Sequence, residues 1–261
     1  MLIFIGLGLQ EKGLTLEGLE EAQNADRTYA ELYTSLIPDL DLDALSEKIG
    51  KKIKVIERED VEEHPDEILE TAKSEKVAFL VPGDPMVATT HVDLRLRAEK
   101  AGIETRIIHG ASIEIAAPGL AGLQSYKFGR SATIPLPEKP SKTPYEVLVQ
   151  NQEDGLHTLL LLDIEAPEER YLTANEAMEI MLDLESKGGK NVFTQETLVA
   201  VIARAGSEKP TVKAGKVGDL IDFDFGSPPH VLIVPGKLHF LEAEALQVFG
   251  GAPEEVEGYV E

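Results

Sequence analysis

Val77-Ala78-Phe79-Leu80-Val81-Pro82-Gly83-Asp84-Pro85-Met86-Val87-Ala88-Thr89-Thr90-His91 is the stretch on which the fold turns. Its five opening apolar residues are too few for a helix and too uniform for a half-exposed strand. Val77–Val81 therefore predicts a strand buried on both faces. Pro82-Gly83 ends it abruptly. Asp84 has the side chain of a helix cap and Pro85 suits a first turn, where a missing N–H costs nothing, so a helix is predicted to follow directly. His91–Leu96 alternates like a strand, but the Ala, Arg, Leu, Glu and Lys composition favours helix. On physics alone, a plain turn capped by Asp84 explains the loop as well as a ligand site does.

Outward from this point, short apolar runs alternate with longer helical patterns, the signature of an α/β fold. Further strands are predicted at Leu2–Ile5, Arg27–Ala30, Lys54–Ile56 and Thr105–Ile108, with helices at Leu16–Ala25 and Val61–Lys73. The acidic cluster from Glu57 to Glu75 reads as a solvated helix face. From Gly119 to Pro144, glycines and four prolines break the rhythm and mark a link into a second α/β unit. Its apolar runs are His157–Leu162, Leu198–Ala203 and His230–Val234. Its clearest helix starts at Thr173, whose capping box closes on Glu176, and stops at Gly188-Gly189. Two domains are expected, residues 1–120 and 121–261.

The 261 residues carry 25 Lys and Arg against 47 Asp and Glu, a formal net charge of −22. Both halves share the acidic excess. Phosphate backbones are bound by replacing counterions with lysine and arginine, so no nucleic-acid partner is expected, and no anionic membrane. The chain has no cysteine, which excludes disulfides, thiolate metal sites and a cysteine nucleophile. Met1–Ile5 is too short an apolar run for a signal peptide, and no apolar run is long enough to span a bilayer. A cytoplasmic location is expected.

Ligands of parallel α/β sheets bind outside the carboxyl ends of strands, and three such ends carry unusual loops. Gly6-Leu7-Gly8-Leu9 follows the first strand, but the dinucleotide fingerprint wants a third glycine where Glu11 stands. Glu31, ending the next strand where a ribose-binding acid belongs, keeps an NAD-dependent oxidoreductase open. The second loop is Pro82 to His91, where a side chain on Gly83 is expected to fill space that a ligand needs. The third is His109-Gly110-Ala111-Ser112-Ile113. The six histidines show no paired ligand spacing, so no metal site is expected, and no serine sits in a hydrolase elbow.

These loops, taken in order, resemble the diphthine synthase family, S-adenosyl-L-methionine-dependent methyltransferases of the tetrapyrrole-methylase superfamily. The resemblance covers essentially the whole chain. It is carried by Ile5–Leu9, Glu31–Leu36, Pro82–His91, Tyr126–Gly129 with Ser131–Thr133, Gly155–Leu160, Thr173–Met178, Ala203–Ser207 and Pro228–His230. The Gly-Asp-Pro loop marks only the superfamily; the whole string marks the diphthine branch. The resemblance implies two α/β domains with the cofactor cleft between them, in a homodimer. It points to Leu9, Asp84, Val87, Ser112, Ile113, Leu162, Ala205 and His230 as cofactor-binding residues, many through backbone atoms. The implied reaction trimethylates the α-amino nitrogen of an aminocarboxypropyl-modified histidine in translation elongation factor 2, leaving S-adenosyl-L-homocysteine and giving diphthine.

No catalytic residue is nominated. An α-amino group has a pKa near ~8, so presenting it neutral at pH 7 costs only about 1.4 kcal/mol. Alignment of two reactants contributes roughly 7–11 kcal/mol and should dominate. A tetrapyrrole C-methyltransferase, acting on precorrin- or uroporphyrinogen-like substrates, is the alternative within the superfamily; many carboxylates on its substrate would call for a basic pocket that the sequence does not offer. A non-catalytic adaptor for elongation factor 2 is a third class, against which the intact Gly83-Asp84-Pro85 loop argues.

Overall fold

The computed structural model describes residues 1–260. The chain forms two compact units, Met1–Ile113 and Glu114–Glu261.

The first unit runs β1 (Leu2–Gly6), α1 (Leu16–Asn24), β2 (Arg27–Ala30), α2 (Leu42–Ile49), β3 (Ile53–Val55), α3 (Arg58–Glu62), α4 (Asp66–Ser74), β4 (Val77–Val81), α5 (His91–Lys100) and β5 (Thr105–Ile108). Its five strands pair in parallel in the order β3-β2-β4-β1-β5. Successive side chains of a strand point to opposite faces, so a run such as Val77–Val81 requires cover on both. One face buries Leu2, Phe4, Val77, Phe79 and Val81 with Val61, Ile68, Leu94 and Ala98 of the helices. The other buries Ile3, Ile5, Ala78 and Leu80 with Ala22, Leu45 and Ile49. The Phe4 and Phe79 rings meet edge to face at 5.8 Å.

Two helix expectations change here. The helix predicted over Val61–Lys73 is two helices, α3 and α4, parted at Pro65, whose ring admits a first turn but not a continuing one. The helix after the Gly-Asp-Pro loop begins at His91, behind a cap at Thr90, and not at Pro85. Asp84 caps a turn instead, accepting from Met86 N at 2.9 Å.

The second unit opens within α6 (Ile113–Ala121), at the start of that helix and not at its end, and continues β6 (Ala132–Ile134), α7 (Thr143–Glu153), β7 (Thr158–Leu162), β8 (Ile164–Glu165), β9 (Arg170–Tyr171), α8 (Ala174–Gly188), β10 (Leu198–Ala203), β11 (Thr211–Lys216), α9 (Val217–Leu220), β12 (His230–Val234) and α10 (Phe240–Gly250). Its main sheet has the order β11-β10-β12-β7-β6, and only β6 and β7 pair in parallel. The Thr173–Glu176 capping box and the left-handed Gly189 bound α8 as the sequence predicts. Strands β6 and β11 are absent from the sequence reading, because Ala132–Ile134 is only three residues long and Thr211–Lys216 holds two lysines and a glycine among six residues with no sustained alternation. No helix among the described residues is long and apolar enough to cross a membrane.

Candidate active site

In the first unit, β1 lies between β4 and β5 with Gly6 level with Val81 and Ile5 level with Ile108. Three loops therefore leave the same sheet edge side by side. They meet backbone to backbone. A Cβ on Gly6 would lie 2.5 Å from Gly110 N and 2.6 Å from Gly83 O; one on Gly110 would lie 2.3 Å from Gly83 O. Gly8 and Gly83 exchange N–H···O bonds of 3.1 and 2.8 Å, and Leu7 N donates to Val81 O at 2.8 Å. Side chains here would wedge the loops apart, so the loop spacing depends on glycine.

Asp84 ties the edge laterally. It is 6% exposed, and its Oδ2 lies 2.7 Å from His109 Nδ1 and accepts from Gly110 N at 3.3 Å. Leu9, Val87 and Ser112 are half-buried on the same three loops, and Ile113, also half-buried, opens α6 directly after the third. The structure thus brings five of the eight candidate residues to one edge. A Cβ on Gly83 would meet only Ala111 O, at 3.9 Å, so the position faces open space, as the expectation of ligand space there requires; its φ of +68° adds a second constraint, since a side chain adopts it at a cost.

In the second unit the other three candidates gather at one edge because β12 runs against its neighbours. Ala203 of β10 pairs with His230 of β12, and Val231 pairs with Leu161 of β7. The start of β12 is therefore flanked by the ends of β10 and β7, which place Ala205 and Leu162. His230 is buried, and both ring nitrogens are engaged. Ala174 N donates to Nδ1 at 3.2 Å, which leaves the proton on Nε2 to serve Gly226 O at 3.1 Å and Ser227 O at 3.2 Å. Burial holds its pKa below the usual histidine value. The ring is a structural tie between α8 and the 226–227 backbone.

Arg204 is a residue the sequence reading did not single out. Its backbone is left-handed at φ +52°, its N donates to Pro229 O at 2.8 Å, and its guanidinium donates to Phe225 O at 3.0 Å, Ser227 O at 2.5 Å and Thr211 Oγ1 at 2.7 Å. Arg204 and His230 grip one loop, residues 225–229, from two sides. The arginine stands inside the quoted Ala203–Ser207 motif, and that was its only signal.

The NAD-dependent oxidoreductase reading loses both supports. After Gly8 the chain enters a short turn at Glu11–Gly13, and α1 begins only at Leu16, so no helix N-terminus stands at the glycine loop to receive a pyrophosphate. Glu31 is fully buried, and its carboxylate accepts from Tyr33 N, Thr34 N, Thr34 Oγ1 and His91 Nε2. No ribose can reach it.

The model of the Tetrapyrrole (Corrin/Porphyrin) Methylases matches residues 1–221. Diphthine synthase of Methanosarcina mazei is 53% identical, over 98% of this chain and 98% of its own. That of Methanocella arvoryzae is 52% identical, over 96% and 98%. The chain belongs to the diphthine synthase family of tetrapyrrole methylases. A crystal structure of a diphthine synthase superposes with a TM-score of 0.92 at 42% identity, covering 99% of both chains. Membership makes the protein a methyltransferase of diphthamide biosynthesis.

Proposed function

We propose that the protein transfers methyl groups from S-adenosyl-L-methionine to the α-amino nitrogen of the aminocarboxypropyl-modified histidine of elongation factor 2, adding three and giving diphthine. Family membership supports the chemistry, and one observation supports the seat of the cofactor: strand-end loops whose backbones are held in register by Gly6, Gly110 and Asp84, with open space at Gly83. Leu9, Asp84, Val87, Ser112 and Ile113 in the first unit, and Leu162, Ala205 and His230 in the second, are the residues we assign to cofactor binding. We further propose a cytoplasmic homodimer.

A cofactor bound through main-chain groups needs loops that do not yield, and this chain supplies them. Asp84 fixes the Gly83 loop to the Gly110 loop, while Arg204 and the neutral His230 fix the 225–229 loop. When bound, S-adenosyl-L-methionine supplies an already activated methyl group on its sulfonium. The protein's part is to hold acceptor and donor in line, which can contribute roughly 7–11 kcal/mol, against about 1.4 kcal/mol to present a neutral amine at pH 7. No side chain is required to carry the amine proton. A quaternary nitrogen has no lone pair, so transfer stops at three.

Titration calorimetry with S-adenosyl-L-homocysteine and with NAD tests the site. Binding of the first and not the second is expected. Binding of NAD alone would overturn the assignment of the loops.

A further inference from the structure

Glu31 and His91 are both completely buried. Glu31 stands directly after β2, with its N bonded to Leu80 O of β4, at the edge from which the Gly-Asp-Pro loop departs. Its Oε2 accepts from Tyr33 N and Thr34 N, each at 3.1 Å, and its Oε1 accepts from Thr34 Oγ1 at 2.5 Å. The fourth donor is His91 Nε2 at 3.1 Å, sixty residues further along the chain. The carboxylate is thereby saturated inside the protein, and among the described residues the histidine is its one donor from a distant part of the chain. His91 is also wedged by aromatic edges, Phe79 at 5.2 Å and Tyr33 at 6.4 Å.

His91 follows directly on the loop that carries Asp84 and Val87. That loop contains Ala88 in a left-handed conformation, φ +55°, which a residue with a Cβ holds only when its surroundings impose it. The front of the loop is pinned by Asp84 to Gly110 N, and within it Thr89 Oγ1 donates to Pro85 O at 2.7 Å. The rear is pinned by His91 to Glu31. His91 Nδ1 and the Tyr33 hydroxyl are buried with no partner. Burying polar atoms unmatched is unfavourable, and a leucine–methionine pair would fill such a core without that penalty.

We propose that Glu31 and His91 form a buried positioning couple that holds the Asp84–Thr90 loop in the shape that receives the methyl donor. The inference rests on the assignment of that loop to cofactor binding. Neither residue touches the reacting atoms; they act through the loop.

The test uses three variants of the full chain. His91→Phe keeps a ring against Phe79 and Tyr33 but removes the donor. His91→Asn restores an amide N–H. Thr34→Val removes one carboxylate donor at a half-buried position and is the mildest. Well below the melting temperature, His91→Phe is expected to raise Kd for S-adenosyl-L-homocysteine and KM for the methyl donor at least tenfold, with kcat at saturation within about threefold of wild type. Thr34→Val should raise Kd a few-fold, and His91→Asn should recover most of the loss. Amide hydrogen exchange should accelerate in residues 84–90 and 32–37 and nowhere else. A folded His91→Phe with wild-type Kd and unchanged exchange in 84–90 would overturn the couple, as would a fall in kcat with unchanged KM. If His91→Phe does not fold, the same readings on Thr34→Val decide: unchanged Kd and unchanged exchange refute it. If the wild type itself binds no S-adenosyl-L-homocysteine, the site assignment fails, while exchange in 84–90 still tests whether the couple holds the loop.

Discussion

In the first unit the candidate edge is held by absence of side chains; in the second it is held by two large ones. Gly6 and Gly110 let three loops touch through their main chains, and Asp84 reaches from the second to the third. The 225–229 loop of the second unit is instead gripped by the Arg204 guanidinium and the His230 ring. The two edges also differ in strand direction: in the first, parallel neighbours end level, Gly6 beside Val81, whereas in the second the start of antiparallel β12 lies beside the end of β10. The first edge should therefore fail on addition of atoms and the second on their removal.

The largest effect expected from that contrast is for Gly110→Ala. Its Cβ would sit 2.3 Å from a carbonyl oxygen that no rotamer change can move, so destabilisation of about 3 kcal/mol or more is expected, read as a shift in the urea midpoint. A midpoint equal to wild type would show that the loops are not in contact. Next is Arg204→Met, which strips three hydrogen bonds from a charged donor and strands the Phe225 and Ser227 carbonyls. A loss of about 1.5–3 kcal/mol is expected, with faster exchange confined to the neighbourhood of residues 224–229. Gly83→Ala is smaller again, about 1 kcal/mol, because strain at φ +68° and not collision opposes it. Gly83→Val adds a branched side chain in the open space at that position, so folded protein with lost affinity for S-adenosyl-L-homocysteine is expected. A collision-sized loss of stability for Gly83→Ala would contradict the geometry.

Acid sharpens the comparison further. His157 and His230, both in the second unit, are held below the usual histidine pKa by burial. The native state thus binds fewer protons than the unfolded chain below about pH 6.5, and stability contributed by the neutral rings declines as pH falls from there. Glu176 and Glu242, also in the second unit, are each lowered to about 2 despite burial, the first by Arg170 and Thr173, the second by His239 N, Lys127 and Gln124 N. Their contribution is present above about pH 4.5 and is lost towards pH 2. Urea midpoints are expected to be flat from pH 8 to 7, to decline below 6.5, and to fall again below 4.5. His230→Asn should flatten the first decline, and an unaltered slope would show that His230 is not titrating.

Much of this was legible in the sequence, and the exceptions share a cause. Uniform apolar runs such as Val77–Val81 and Leu198–Ala203 announce strands because burial on both faces leaves no alternative. Thr173 and Glu176 announce a helix start through a local bond. By contrast β11 is a polar strand defined by its partner β10, and α3 and α4 read as one helix until Pro65 is given its weight. Among site residues, Asp84 was visible as a capping side chain, but its ties to His109 and Gly110 depend on sheet order. Arg204 and the Glu31–His91 contact were invisible for the same reason: each joins segments distant in sequence, and nothing local in the motif states the partner.

The measurement that bears most directly on the proposed activity is mass spectrometry of the modified-histidine peptide of elongation factor 2, carrying its aminocarboxypropyl group, after incubation with the protein and methyl-labelled S-adenosyl-L-methionine. The account predicts three labelled methyls on the α-amino nitrogen and none elsewhere. Absence of label from a protein shown to bind S-adenosyl-L-homocysteine would contradict it.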